Sequence, residues 1–475
     1  MLDIITVVEL MALYFIICGA LTWTFSNGAV KTKENFLLAN RSFSTVRGMF
    51  SISAAWMWAT ALFVVPQLSY QFGFTGFFWV LGMNTLTLCI FGFAAAKVRE
   101  LYPNGFTFAE HIRHNYGRAA HNTYIFAFLL IAVLALSANI YAGSKLIQTI
   151  AGLNMNIAAA FLIISAVSFS IFRGLRGTVV TEIFKMVTII VTALVVIPQV
   201  WAIAGWDTII KGMAGANGHY GGLWSNSDEI AMFLSMGIYF VFRHLSLPWT
   251  DNSFWQRAFV IDPTKIKRTY AYAAALFFIA PAMFGTLGFA AAGMGLKIDN
   301  VQLTNVLVIA QTLSPWALGM IVFMLLTGLT SLLDSQITSV TTLISHDVMP
   351  QIFKTIKEST LIDYSRIVVV GIVMLSWLLV NIPGVNIVYF ALVGGSVCMS
   401  FFVPTVVALF KPHWLEAKSL VVGILLALLV GVPFYSYASL NKLTNLALFG
   451  FFASLIISSI ISLGSGYLAK RIMRD

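Results

Sequence analysis

Residues 51–70 read SISAAWMWATALFVVPQLSY. This stretch carries no charge and has the length a helix needs to cross a bilayer's hydrocarbon core, about 20 residues. Two features inside it make it a candidate for a broken helix. Ser53-Ala54-Ala55 is a run of small side chains, and Pro66 removes a backbone donor and crowds the turn before it. Backbone groups freed at membrane depth must be met by protein or by a wet cavity. The stretch is therefore read as a broken helix, its freed carbonyls available to a cation and its amides to an anion. The plainer alternative is a proline kink repaired by neighbouring helices.

Outward from this stretch the same apolar pattern recurs. Thirteen such stretches are read: Ile4–Phe25, Val46–Tyr70, Phe74–Val98, Tyr124–Ile150, Ile157–Phe172, Val179–Ala204, Ile230–Leu247, Tyr270–Met294, Trp316–Ile344, Ile367–Asn381, Val385–Phe410, Ser419–Tyr435 and Leu446–Leu468. Of the 475 residues, 59% are hydrophobic and 10% charged, against about 25% charged in a soluble domain. Such a chain cannot cover itself with polar surface, so lipid is its solvent. No polar tract is long enough for a separate soluble domain, and a single membrane domain over 1–475 is expected. The start, Met1-Leu2-Asp3-Ile4, lacks the basic segment of a removable signal peptide. Cys18, Cys89 and Cys398 are scattered through apolar stretches and imply neither disulfides nor a metal site. No HExxH, paired metal ligands or ordered Ser/His/Asp set points to an enzyme.

The net charge of +10 raises nucleic acid as a partner, and its placement sets that aside. Lysines and arginines crowd one side of the expected membrane, in 31–47, 97–118, 173–176, 257–268, 354–366, 411–418 and 470–474. The other side holds Lys211, Lys297 and Lys442, while Lys145, Lys185 and Arg243 lie within or at the ends of stretches. By the positive-inside rule the N-terminus is outside and the C-terminus cytoplasmic, which requires an odd number of crossings. The expected location is an inner or plasma membrane.

The seventh stretch carries Gly237, Arg243, His244 and Pro248, and is a second candidate for a broken helix. It lies five stretches after the first, as in a pair of inverted repeats, approximately 43–205 and 230–410, with 4–25, 419–435 and 446–468 peripheral. The ninth stretch places Ser331, Asp334, Ser335 and Thr338 three and four residues apart, hence on one face. Hydroxyl and carboxylate oxygens suit Na⁺; the alternative is helix packing by small hydroxyl residues. A carboxylate within lipid needs a partner, and Arg243 is expected to pair with Asp334. Glu182 and Lys185 are spaced for a salt bridge along their own helix. His244 reads as a packed neutral histidine.

Four segments resemble the sodium:solute symporter family, over about residues 31–410. KENFLLANRSFS at 33–44 resembles the family's DFFLAGRS-type approach to the first core helix. NIYAGSKLIQTIAGLN at 139–154 resembles its Tyr-Ala-Gly segment. RGLRGTVVTEIFKM at 173–186 resembles its Gly-Gly-Leu…Thr-Asp motif, and SLLDSQITSVTTLISHDV at 331–348 its hydroxyl-rich helix. The resemblance implies an all-α membrane protein of about 13 transmembrane helices with a five-plus-five inverted-repeat core, the amino-acid-transporter type. AAWMWATAL at 54–62, PWTDNSFWQRAF at 248–259 and FTFAEHIRHNYG at 106–117 look most like the urea-transporting branch.

By the same resemblance, sodium is held by the backbone carbonyls of Ala54 and Met57 with Gly328 and Ser331, and Asp334 compensates for a hydroxyl position that is Leu332 here. Glu182 stands at an acidic position that helps bind a second cation in some members, one methylene longer than the usual Asp. The substrate-binding residues are expected to be Trp56, Trp58, Gln67, Tyr141 and Arg243; the alternative for Trp56 and Trp58 is a lipid-facing or packed aromatic. The expected activity is sodium-coupled import of a small polar solute, with Na⁺ as coupling ion and the lipid bilayer as surroundings. No obligatory protein partner is evident. The rival readings are a proton-coupled carrier of the same fold, with Asp334 and Glu182 carrying protons, and a non-transporting membrane sensor.

Overall fold

Runs of apolar residues in lipid leave the backbone no partner but itself, so each becomes a helix. The computed structural model describes residues 2–25, 32–353, 355, 357–385, 387–441 and 443–472. Lys31, Lys354, Lys442 and Arg474, used above to sort charge, lie outside the described residues. The helices are α1 (Ile4–Phe25), α2 (Lys33–Leu38), α3 (Thr45–Ala55), α4 (Val65–Phe77), α5 (Met83–Leu101), α6 (Phe108–Ala151), α7 (Met155–Ala204), α8 (Trp206–Gly212), α9 (Ser227–Met232) and α10 (Ile238–Ser246). There follow α11 (Asn252–Val260), α12 (Ile266–Gly293), α13 (Thr304–Thr312), α14 (Pro315–Leu343), α15 (Met349–Ile352), α16 (Glu358–Val380), α17 (Ile387–Phe410), α18 (Ala417–Leu440) and α19 (Thr444–Ile472).

Among the described residues, eleven helical runs are long and apolar enough to cross a membrane, against thirteen expected stretches. The difference lies in two runs that join stretches. Ala61–Leu101 contains half of the second stretch and all of the third, and Met155–Ala204 contains the fifth and sixth. At 50 residues, α7 would reach about 75 Å if straight, far beyond the ~30 Å hydrocarbon core. It bends instead at Gly174, where φ is 58°. A Cβ there would lie 2.3 Å from Phe36 O, so both the backbone angle and the close approach of α2 need glycine. Gly73 does the same for the Ala61–Leu101 run, at φ 49° and with its Cβ position 2.1 Å from Met213 O. The tenth stretch, expected at Ile367–Asn381, is the longer α16.

Both expected breaks are present. The first falls at Trp56–Trp58, between α3 and a π-helical turn at Thr60–Val64. Pro66 is not the cause, because it lies inside the resumed α4. What holds the chain open is a side chain: Asn139 Oδ1 of α6 accepts the Ala59 N–H at 3.1 Å, in place of a helix carbonyl. The second break is at Leu247–Asp251, where Pro248 sits in a single 3₁₀ turn. The seventh stretch therefore does not end at Leu247. It continues as α11, whose residues are buried throughout and whose first turn is capped by Asp251 accepting from Ser253 N. Arg257, expected in a cytoplasmic loop, is thus a core residue.

Burial separates centre from periphery. The most apolar windows of α6 and α14 are 78% buried, whereas those of α1, α16 and α19 are 22%, 33% and 33%. The remaining faces are covered by leucine, isoleucine and phenylalanine, as a lipid-facing surface requires.

Candidate functional site

The centre of the protein is where the α3 break meets α6, α7, α10, α11 and α14. α7 and α14 run antiparallel along a polar seam. Thr178 meets Thr338 at 2.7 Å, Thr181 donates to Asp334 at 3.2 Å, and Ser335 donates to Glu182 at 2.5 Å. The face predicted from the spacing of Ser331, Asp334, Ser335 and Thr338 is this seam, and all four are buried.

Two ion pairs lie in it. Lys185 Nζ is 2.5 Å from Asp334 Oδ2, with both side chains fully buried. Arg257 Nη2 is 2.5 Å from Glu182 Oε1, again fully buried. The second pair is tied to three helices. Ser51 of α3 donates to Glu182 Oε2 at 2.5 Å and accepts from Arg257 Nε at 3.0 Å. Arg257 also donates to Ser335 Oγ at 2.9 Å and to Ser253 O at 2.8 Å. Neither pairing is the expected one. Asp334 takes Lys185 rather than Arg243, and Glu182 takes Arg257 rather than Lys185. Antiparallel packing decides this: Lys185, one turn above Thr181, reaches Asp334, while Glu182 lies level with Ser335 where α3 and α11 also reach it. Asp251 and Gln336 add a further tie between the second break and α14, at 2.7 Å.

The residues expected for the solute divide into two groups. Trp58 and Arg243 line a cavity of ≈ 20 Å³ with Ala59, Asn139, Leu247 and Phe390. Trp56, Trp58, Asn84, Arg243 and His244 line a second of ≈ 10 Å³ beside it. Each has room for about one water. Trp56 stacks edge-on to Phe254 at 4.9 Å and donates through Nε1 to Asn84 O at 2.9 Å. Trp58 Nε1 and His244 Nδ1 are buried polar atoms with no hydrogen-bond partner. Gln67 and Tyr141 do not reach this space: Gln67 bonds Gln71 along α4, and Tyr141 lies beyond Asn139 on α6. A much larger space, ≈ 900 Å³, lies elsewhere, in an apolar groove between α1, α7 and α14 lined by Leu10, Leu13, Val191, Trp316 and Phe323.

The sodium ligands named from the resemblance are also accounted for. Ala54 O accepts Met57 N at 3.2 Å within the break. A Cβ on Gly328 would lie 2.6 Å from Leu62 Cδ1, so the close approach of α14 to the resumed helix depends on this glycine. Ser331 Oγ is buried without a hydrogen-bond partner, as is Asp334 Oδ1. This set fits a metal cation poorly. Leu332 contributes no oxygen, and both carboxylates are already neutralised by cations of the chain. Sequence reasoning missed Ser51, Asn139 and Arg257. Arg257 could have been found from the apolar positions Phe254, Trp255 and Phe259 around it, which continue the helical pattern past the proline.

Two broken helices around a central closed cavity, flanked by a polar seam, define a membrane transporter built on paired repeats. The model of the sodium:solute symporter family matches residues 36–431, and the chain belongs to that family. Among curated relatives it is 24% identical over 284 residues to the "Probable urea active transporter 1" of Schizosaccharomyces pombe, covering 56% of this chain and 42% of that one. It is 22% identical over 426 residues to the "Urea-proton symporter DUR3" of Oryza sativa subsp. japonica, covering 82% and 58%. The chain thus spans about half the length of the curated relatives it matches. Among solved structures, a Na⁺-coupled sialic acid symporter in a substrate-bound outward-open state aligns with TM-score 0.71 at 14% identity, over 96% of this chain and 97% of that one. A nucleobase-cation-symport-1 family transporter in a closed conformation aligns with TM-score 0.57 at 14% identity, over 90% and 94%. These likenesses establish the fold.

Proposed function

We propose that the protein is a symporter that imports a small, neutral, polar solute across the inner or plasma membrane by alternating access, driven by an inward cation gradient. Urea is the nominated solute, from the Trp-Met-Trp and Pro-Trp-Thr-Asp segments and the names of the relatives. The observation that carries the reading is the closed cavity at the first break, with the Trp58 N–H and the His244 ring nitrogen left unpaired beside it. A buried polar atom without a partner is costly, and a small solute with a carbonyl and N–H groups supplies what both atoms lack. The space admits about one water, so a solute enters only when the helices around the break part. The walls are mostly apolar, from Trp56, Trp58, Leu247 and Phe390, with a few polar groups at Asn84, Asn139, Arg243 and His244, a lining that suits a compact polar solute.

Two readings of the coupling ion stand. Sodium is supported by family membership and by the unpaired Ser331 hydroxyl. A proton is supported by the Lys185–Asp334 and Glu182–Arg257 pairs, which leave no free carboxylate for a metal cation. The experiment is uptake of labelled urea into liposomes containing the purified chain, with unlabelled urea inside. Saturable exchange supports the solute assignment; exchange no faster than in empty liposomes refutes it.

A further inference from the structure

The two carboxylates that the resemblance assigns to metal cations, Asp334 and Glu182, are each paired with a cation of the chain. Asp334 lies one turn from Ser331 on the same face of α14, and its Oδ2 accepts from Lys185 Nζ at 2.5 Å. Next to it, Glu182 is occupied by Arg257, Ser51 and Ser335. We infer that Lys185 is the coupling cation of this transporter: its ammonium, tethered to α7 beside Asp334 and Ser331, stands in place of a metal ion, and the charge that moves with the solute is a proton. The inference rests on the reading of the protein as a cation-coupled importer.

Three observations carry it. The first is charge balance. Lys185, Arg257, Glu182 and Asp334 are all fully buried and together neutral. A metal cation added at Asp334 or Glu182 would meet a carboxylate that is already compensated, and would be repelled by Lys185. A buried charge without a counter-charge is strongly disfavoured. The second is unequal bonding. Arg257 is tied down by four hydrogen bonds, to Ser51, Ser253, Glu182 and Ser335. Lys185, with three donors, makes one, to Asp334, and otherwise faces the Tyr14 ring at 5.7 Å. Asp334 Oδ1 and Ser331 Oγ beside it are unpaired. Arg257 is therefore a structural cation, whereas Lys185 is free to rearrange. The third is position. The seam joins α7 and α14, and through Ser51 it touches α3, whose far end is the break at the solute cavity.

The groups facing Lys185 are Asp334 on α14, Glu182 on its own helix, Tyr14 and Cys18 on α1, and Arg257 on α11 beyond Glu182. In the loaded state Lys185 is an ammonium against the Asp334 carboxylate. Releasing one proton from the ammonium leaves a neutral amine and an uncompensated carboxylate. That state is tolerated where water reaches the carboxylate, so proton release favours an arrangement open to the cytoplasm. The proton enters from the outer medium and leaves inside with the solute, and nothing else is consumed.

The test uses the full chain, purified and reconstituted. In sodium-free buffer, an inward gradient of one pH unit drives about tenfold urea accumulation at one proton per solute, since 1.4 kcal/mol is a factor of ten. Lys185→Gln is expected to reduce accumulation to the equilibrium level, with exchange slower but measurable. Accumulation that follows a sodium gradient at fixed pH, or a Lys185→Gln protein that accumulates like the wild type, overturns the inference. If urea does not exchange at all, the solute reading fails, and a second measurement still decides this one. The wild type should unfold at the same temperature in sodium and potassium chloride. Lys185→Ala, which vacates the ammonium's place beside Asp334, should gain a saturable, sodium-specific rise in unfolding temperature. A sodium-specific rise in the wild type refutes the inference, as does the lack of one in a folded Lys185→Ala. Should that variant not fold, the Lys185→Gln/Asp334→Asn double variant, which removes both charges at similar volume, must lose proton-driven accumulation; retention of it is equally refuting.

Discussion

Arg257 and Glu182 form the most heavily bonded ion pair in the protein, and its energetic worth can be worked out before it is measured. Arg257→Gln removes the donors to Ser51, Ser253 O, Glu182 and Ser335. It leaves Glu182 ionised, fully buried, and held by the hydroxyls of Ser51 and Ser335 alone. Breaking a buried pair from one side costs roughly 3–5 kcal/mol, because the surviving charge is uncompensated. Glu182→Gln strands the guanidinium instead, but Arg257 keeps the Ser253 carbonyl and two hydroxyl oxygens, so the lower end, about 3 kcal/mol, is expected. The double variant carries two neutral amides among the same hydroxyls, with no charge left to desolvate. Its loss should be about 3–4 kcal/mol rather than the sum of the singles, a coupling of roughly 2–4 kcal/mol. The assay is reversible unfolding in mixed micelles with increasing SDS, applied to all four corners of the cycle. If the double variant loses the sum of the singles within about 0.5 kcal/mol, the pair is not a unit and the assignment of Arg257 as a structural cation fails.

Other consequences are more direct. Gly174→Ala should destabilise by roughly 2–4 kcal/mol, read in the same SDS titration, because φ is 58° and the new Cβ would sit 2.3 Å from Phe36 O. Trp58→Phe removes an unpaired N–H and part of a buried ring packed on Trp56, so it should cost about 1 kcal/mol of stability while raising the half-saturating urea concentration about five- to tenfold. Orientation is tested by single cysteines at the exposed positions Ser227 and Thr264 in a chain lacking Cys18, Cys89 and Cys398. An impermeant maleimide on intact cells should label Ser227 and spare Thr264, and the reverse pattern would invert the topology.

The features legible in the sequence are those that depend on local composition. An uncharged run of twenty residues in lipid has helix as its one self-sufficient backbone state, and the apolar stretches accordingly became helices. The second break was legible to the residue, since Pro248 weakens a helix locally; the first was legible only to its stretch, because Ser53-Ala54-Ala55 lies inside α3. Its details were not. Pro66 was the obvious breaker, yet the chain opens ten residues earlier, because Asn139 on a distant helix supplies the acceptor that keeps Ala59 N satisfied. The glycines that bend the long runs, Gly73 and Gly174, are a further case. Their need for a positive φ follows from the close approach of Met213 and Phe36, both remote in sequence.

The charged residues show most clearly where local reading ends. The rule that each intramembrane charge needs a counter-charge holds for Glu182, Lys185, Arg257 and Asp334 as a neutral set. The rule does not say who pairs with whom. Along α7 alone, Glu182 and Lys185 are three apart and look like partners, but a helix turns about 300° over three residues, leaving them some 60° apart. Lys185 reaches Asp334 on α14, whereas Glu182, a turn earlier, reaches Ser335 on α14 together with Arg257 of α11 and Ser51 of α3. The swap matters for function. A Glu182–Lys185 bridge would have left Asp334 open to a metal cation, with Arg243 as a distant counter-charge. The pairing observed instead closes both carboxylates with cations of the chain, one firmly bonded and one loosely, and a loosely bonded ammonium at the seam between two helices is the group best placed to respond when they move.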